Sequence, residues 1–209
     1  MRGVWVFLLL LPALAASFAA FTVEPAGDQV VDLATGVTTL PDGGRLVDAE
    51  RGLELKAAYI EYQEGAFVRA KKARLLQEKL RFEAGRLEYD VASETVVLEE
   101  GVLFSSPHLS GLEAPRGVLY LKDGVAVLEG GVKSASPAFE AERMVADTEK
   151  GLVLLLGAFR YQDPALGITL KGQGPDARLL LRFKEEGEVE AETEVPAEIY
   201  VRLAAYLGG

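Results

Sequence analysis

The fold class is decided by the stretch Ala84-Gly-Arg-Leu-Glu-Tyr-Asp-Val-Ala-Ser-Glu-Thr-Val-Val-Leu-Glu-Glu-Gly-Val102. Two short runs of alternating apolar and polar residues flank a polar turn, and the second run closes on a glycine followed by valine. An alternation with a period of two predicts β-strands, because successive side chains of a strand point to opposite faces. The stretch is therefore predicted to form an antiparallel hairpin.

The same two-part sequence pattern, which we call the cadence, recurs along the chain. Its first half, a small residue followed by a polar and β-rich run, begins at Ala57, Ala84, Ala114 and Ala141, which are 27, 30 and 27 residues apart. Its second half is a strand that closes on a glycine and a small apolar residue, at Gly101, Gly131 and Gly157. A hairpin of this length cannot bury its apolar face alone, so the copies must stack and share a core. An all-β sandwich, barrel or stack is predicted.

Two segments depart from the cadence. The run from Gly65 to Lys79 is basic and would suit a helix in isolation, although a strand is the preferred prediction. In residues 185–209, five glutamates from Glu186 to Glu194 alternate with smaller residues, which predicts an acidic strand of the kind that protects a sheet edge. A short element follows after Pro196, and both a helix and a last strand suit it.

The composition excludes most catalytic chemistries. The 209 residues contain no cysteine, a single histidine (His108) and a net charge of −10 at pH 7. Thiolate catalysis, disulfides and zinc ribbons are therefore excluded, and no cofactor or metal is expected. An acidic surface repels phosphate backbones, so nucleic acid is not expected as a partner.

The remaining candidate sites have simpler explanations. Adjacent carboxylates at Glu99-Glu100 and Glu185-Glu186 are expected by chance in so acidic a chain, and the Ser105-Ser-Pro-His108 turn is typical of a surface loop. The basic run Ala70-Lys-Lys-Ala-Arg74 could touch a lipid phosphate or an acidic partner, or could be the polar face of a strand. We therefore expect a protein that is not an enzyme.

The N-terminus has the layout of an export signal. Arg2 precedes a 13-residue apolar run from Val4 to Ala16, and small residues continue to Ala20. Residues 1–20 are predicted to be a secretory signal peptide, with an uncleaved inner-membrane anchor over residues 4–21 as the alternative. Export predicts a periplasmic protein.

At these repeats the chain resembles the OstA-like family of lipopolysaccharide-transport proteins, which includes LptA, its relative LptC and the N-terminal domain of LptD. The resemblance is carried by Ala84-Gly-Arg-Leu-Glu-Tyr-Asp90 with Glu100-Gly-Val102, and by Ala141-Glu-Arg-Met-Val-Ala-Asp147 with Gly157-Ala158. It covers roughly Val30 to Phe183, within a predicted domain of residues 28–184.

This resemblance implies a two-sheet β-jellyroll, folded like a taco and open at both ends. It also implies a non-enzymatic periplasmic carrier or bridge that holds the acyl chains of an amphipathic, lipopolysaccharide-like envelope lipid between its sheets and supports outer-membrane assembly. The implied partners are that lipid, Lpt-type inner- and outer-membrane proteins joined by strand addition, and further copies of the chain joined head to tail.

One alternating face is predicted to line the space between the sheets. Its predicted lining residues are Leu87, Tyr89, Leu98, Val118, Tyr120, Val127, Phe139, Phe159, Ile168 and Leu170. A slip of one residue would invert the face, so the assignment depends on register. The alternative function is a structural envelope scaffold with a filled core and no lipid cargo.

Overall fold

The computed structural model describes residues 21–49, 52–163, 166–184 and 188–208. The predicted signal or anchor segment, residues 1–20, lies outside the described residues. The described chain is almost entirely antiparallel β-structure with one short α-helix, which confirms the predicted all-β class. The strands are β1 (Thr22–Pro25), β2 (Val30–Val31), β3 (Val37–Leu40), β4 (Gly44–Asp48), β5 (Leu53–Ala57), β6 (Tyr59–Gln63), β7 (Phe67–Gln77), β8 (Leu80–Asp90), β9 (Thr95–Glu99), β10 (Val102–Ser105), β11 (Leu112–Ala114), β12 (Arg116–Tyr120), β13 (Val125–Ser134), β14 (Phe139–Asp147), β15 (Leu152–Gln162), β16 (Thr169–Gly172), β17 (Arg178–Phe183) and β18 (Val189–Glu192). The helix is α1 (Ala197–Ala204), and two 3-10 turns span Leu121–Asp123 and Ala205–Gly208.

Five long strands, β7, β8, β13, β14 and β15, bend in the middle and belong to two sheets at once. In β7, the half before the bend pairs with β6 and the half after it pairs with β5. The bend in β7 lies at Lys72, which has a φ of 50°, and β13 bends at Gly131 with a φ of 98°. Extra residues at such positions break the ladder and turn the strand, as β-bulges do. The bends therefore fold each long hairpin over on itself.

The pairings follow two ladders. The first sheet runs β1-β4-β5-β7-β8-β10-β11-β13-β14-β15-β16. The second sheet runs β2-β3-β6-β7-β8-β9-β12-β13-β14-β15-β17-β18. The two sheets share the five bent strands, and the bends place the two sheets face to face.

The main core fills the space between the two sheets. It joins inward side chains of the first sheet, such as Phe82, Phe104 and Tyr161, to those of the second, such as Leu98 and Leu155. A second, smaller cluster lies on the outer face of the second sheet, where the buried Leu203 of α1 packs on the outward side chains of β13, β14 and β15. The C-terminal element is therefore a helix that covers the sheet from outside.

The basic run in the first half of the chain lies on the outer surface. β7 is a strand throughout, which confirms the preferred prediction for this run. Arg74 lies directly opposite Glu83 and pairs with it at 3.1 Å, and Lys71 lies over the ring of Tyr59 with 5.0 Å from Nζ to the ring centroid. These charges form the polar face of a strand.

The stack ends in strands that pair on one side only within the described residues. These are β1 and β2 at one end and β16 and β18 at the other. The acidic β18 pairs with β17 and forms the edge of the second sheet, in the place predicted for it. The sheet also includes strands beyond the predicted limits of 28 and 184, and those limits stay a prediction.

Candidate functional site

A cleft opens between the two sheets on the side opposite the bends. There the hairpin turns of the first sheet approach the hairpin turns of the second, and they leave a space of about 340 Å³ that we call the mouth. The first-sheet wall comes from residues 77–80, 104 and 106–109, and the second-sheet wall comes from 121, 124, 146–149, 151–153 and 183. The mouth is therefore the natural entrance to the space between the sheets.

The walls of the mouth combine apolar and polar side chains. Leu80, Leu109 and Leu121 line it next to the hairpin turns. The ring of His108, on the loop between β10 and β11, lies 5.9 Å from the ring of Phe183 at the end of β17. This ring pair brings the two sheets together at one corner of the mouth.

Hydrogen bonds hold the turns around the mouth in place. Ser106 Oγ accepts from the backbone N–H of Leu109 at 3.0 Å, and the Thr148 hydroxyl donates to the carbonyl of Gly124 at 2.9 Å. The second bond ties the β14–β15 turn to the β12–β13 turn. Both side chains face the mouth as neutral hydrogen-bonding groups.

The C-terminal helix braces the second-sheet side of the mouth from behind. Arg202 donates to the carboxylate of Asp147, a mouth residue whose exposed fraction is 3%, and the other oxygen of Asp147 accepts from the backbone N–H of Lys150. The ring of Tyr120 packs against that of Tyr206 with 4.9 Å between ring centroids, and its hydroxyl donates to the Tyr206 carbonyl. Burial raises the pKa of Tyr206. Both turns on this side of the mouth are thus attached to the helix.

The space behind the mouth is packed. A small void of about 20 Å³ remains between Phe21, Leu55, Leu87 and their neighbours, which is room for about one water molecule. Leu121 lines both this void and the mouth. It is therefore the side chain that separates the entrance from the interior.

Two buried hydroxyl groups have no hydrogen-bond partner among the described residues, those of Ser134 and Tyr161. Both lie on the inner face of the first sheet, with Phe139 between them in register. Tyr161 is fully buried, and burial raises the pKa of its phenol. An unpaired buried hydroxyl costs about 1–3 kcal/mol of stability.

The residues predicted to line the interior do not all share one face. Leu87, Tyr89, Leu98, Phe139 and Phe159 are buried in the main core, and Leu170 packs against it. Their lining role stays a prediction, because the interior they share is packed.

The inward assignment was wrong for Val118, Tyr120 and Val127. β12 turns Leu119 into the main core, so Val118 and Tyr120 point outward, and Val127 lies opposite Val118 in the outer cluster. Strand alternation could not distinguish the faces here, because α1 makes the outer face of the second sheet apolar as well. Ile168 precedes β16 and is 46% exposed.

From the sequence, Ser106 and His108 of the mouth were considered only as part of a surface turn, and the apolar mouth residues were missed. Leu80, Leu109 and Leu121 adjoin turns, where the alternation ends and gives no face assignment. The sequence feature that could have indicated these mouth residues is an apolar side chain next to a polar turn. Within the described residues, no group of three or more side chains could hold a metal ion, and no helix is long and apolar enough to cross a membrane.

No protein-family model matches the chain, and no curated protein matches it. Among solved structures, the chain is similar to the crystal structure of LptH, the LptA homologous periplasmic component of the conserved lipopolysaccharide transport device from Pseudomonas aeruginosa. The two are 12% identical with a TM-score of 0.40, and the match covers 84% of this chain and 95% of that chain. At this TM-score the similarity carries no conclusion about function, which has to come from the site.

Proposed function

We propose that this protein is a non-enzymatic periplasmic carrier for an amphipathic, lipopolysaccharide-like envelope lipid, whose acyl chains enter between the two sheets. The observation that carries the proposal is the mouth, an entrance of about 340 Å³ with mixed apolar and polar walls, where the rims of the two sheets meet over a continuous apolar interior. Burial of each methylene of an acyl chain there contributes about 0.8 kcal/mol. Export through residues 1–20, or anchoring through residues 4–21, would place the carrier in the envelope.

The packed interior means that lipid entry requires the sheets to separate. Two sheets joined by bent strands along one side can do this with few broken hydrogen bonds, because the opposite side is held by side chains and turns. Binding then draws on a minor, opened state of the protein. The end strands that pair on one side only would accept Lpt-type membrane proteins, or further copies of the chain, by strand addition.

The alternative function is a structural envelope scaffold without lipid. The small void of about 20 Å³ favours it, since a filled core suffices for a scaffold. The unpaired hydroxyls of Ser134 and Tyr161 favour the carrier. In a scaffold, the stability lost to these unpaired hydroxyls would serve no purpose. In a carrier, an acyl ester or hydroxyacyl group between the sheets would give them a hydrogen-bond partner.

Native mass spectrometry distinguishes the two functions. The full chain is expressed with export in a host that makes an outer envelope, purified from that envelope, and measured before and after lipid extraction. A carrier is expected to retain acylated lipid at a fixed stoichiometry. A lipid-free mass that stays unchanged when envelope lipid is added would leave the scaffold.

Leu121 provides a test within the chain. Leu121→Trp is expected to block the passage from the mouth to the interior and to abolish lipid uptake, whereas Leu121→Ala is expected to widen it and to speed uptake. Lipid-transfer rates from vesicles measure both, with thermal unfolding as the control for folding. Equal uptake by both variants and the parent protein would place the entrance elsewhere.

Removal of the phenol of Tyr161 tests the interior. Tyr161→Phe is expected to raise the free energy of unfolding of the lipid-free protein by about 1 kcal/mol, because no hydrogen bond is lost and a buried hydroxyl is removed. Urea unfolding measures the change. Tyr62→Phe is the matched control, because Tyr62 is also buried but its hydroxyl accepts from Gln29, so a loss of stability is expected there. A loss of similar size at both positions would contradict the prediction for Tyr161.

A further inference from the structure

The charges around the mouth differ from those that a phosphorylated headgroup would require. Proteins bind phosphate groups chiefly with Arg and Lys side chains and with backbone N–H groups at helix N-termini. The only lysine or arginine in the wall of the mouth, within the described residues, is Lys79, which adjoins Glu78. Glu149 stands in the opposite wall, on the β14–β15 turn.

Many of the other cations among the described residues form ion pairs away from the mouth. On the outer faces they form ion pairs across neighbouring strands, as Arg69 does with Glu88 and Arg116 does with Glu129. Arg202 is paired with Asp147 behind the mouth. Lys122 and Lys150 lie on the turns beside the mouth but outside its wall, next to Asp123 and Glu149, so those turns carry no net positive charge.

The remaining wall groups suit a polyol. Glu78 and Glu149 carry carboxylates, which only accept hydrogen bonds and therefore need donors such as hydroxyl groups. The amide of Gln77 and the hydroxyls of Ser106 and Thr148 add neutral donors and acceptors. The paired rings of His108 and Phe183 offer an aromatic surface for the C–H face of a sugar ring.

We propose that the mouth selects lipids whose headgroup is an uncharged sugar and rejects lipids whose headgroup is a phosphate. This inference rests on the proposed carrier function and narrows its lipopolysaccharide-like cargo to glycolipids whose sugar headgroup carries no phosphate. The carboxylates of Glu78 and Glu149 hold the sugar hydroxyls and repel an anionic headgroup at the same entrance, so attraction and repulsion both contribute to specificity. The acyl chains contribute affinity but do not distinguish one headgroup from another.

The test uses two amphiphiles that share an alkyl chain, octyl β-D-glucoside and octyl phosphate, both below their micelle concentrations. Calorimetric titration is carried out at pH 8 and at low salt. The parent protein is expected to bind octyl glucoside about tenfold more tightly than octyl phosphate. Glu78→Lys combined with Glu149→Lys is expected to reverse that preference.

The matched control is Glu64→Lys combined with Glu113→Lys, which changes the net charge equally at two exposed positions outside the mouth. It is expected to leave the preference unchanged. Equal or tighter binding of octyl phosphate by the parent protein, or a reversal by the control pair as well, would overturn the headgroup inference and leave the carrier intact. Failure of both amphiphiles and of envelope lipid to bind would remove the carrier function itself, and this inference with it.

Discussion

Leu98→Arg is expected to unfold the protein. Leu98 is 1% exposed, lies directly opposite Leu87 and Gly117 on the inner face of the second sheet, and is surrounded by apolar side chains. A guanidinium there would be buried without a partner, which costs more than about 4 kcal/mol against a total stability of about 5–15 kcal/mol. Circular dichroism and urea unfolding measure the loss.

Val97→Arg is the control for Leu98→Arg. Val97 is the preceding residue of β9, it points to the outer face, and it lies opposite Glu88, which can pair with the new cation. Val97 is half-buried, and its replacement is expected to cost about 1 kcal/mol, far less than Leu98→Arg. If Leu98→Arg melted like the parent protein, the space between the sheets would have to be open to water already, and the packed interior would be wrong.

These two variants also show how much of the structure could be predicted from the sequence. Alternation along β9 separates Leu98 from Val97, and the repeated cadence correctly predicts stacked antiparallel hairpins. Local periodicity reports the strand and its two faces. It does not report which face meets another sheet, because that depends on partners far away in the chain.

The glycines of the cadence show a different limit. The cadence predicts that Gly131 and Gly157 end strands. The structure places both inside long strands, at the bends of β13 and β15. Both have φ values in the left-handed region, 98° and 75°. A glycine at a turn and a glycine at a bulge require the same conformation, so the residue type alone could not distinguish them.

The mouth could not be predicted for a related reason. Leu109 and Leu121 lie 12 residues apart in the chain and belong to turns of opposite sheets. They become neighbours because the bends fold one sheet over the other. Only the position of those bends, which the sequence analysis did not find, brings these turns together.

Arg202→Ala is expected to destabilise the protein by about 3 kcal/mol, because it leaves the buried carboxylate of Asp147 without its cation. The variant is expected to lose both global free energy of unfolding and local stability at the β14–β15 turn. Asp147 also holds the β14–β15 turn through the backbone N–H of Lys150, so that amide is expected to exchange hydrogen faster in the variant. Urea unfolding and amide hydrogen exchange measure the two effects.

The double variant Arg202→Ala with Asp147→Asn separates the charge from the packing. A carboxamide can be buried at lower cost than an unpaired carboxylate and can still accept from Lys150, so the double variant is expected to be more stable than Arg202→Ala alone. Equal stability of the single variant and the parent protein would mean that the ion pair contributes nothing to holding the helix. A recovered fold with a slow Lys150 amide would instead show that the loss in Arg202→Ala comes from the unpaired carboxylate, because the double variant lacks the ion pair to α1 as well.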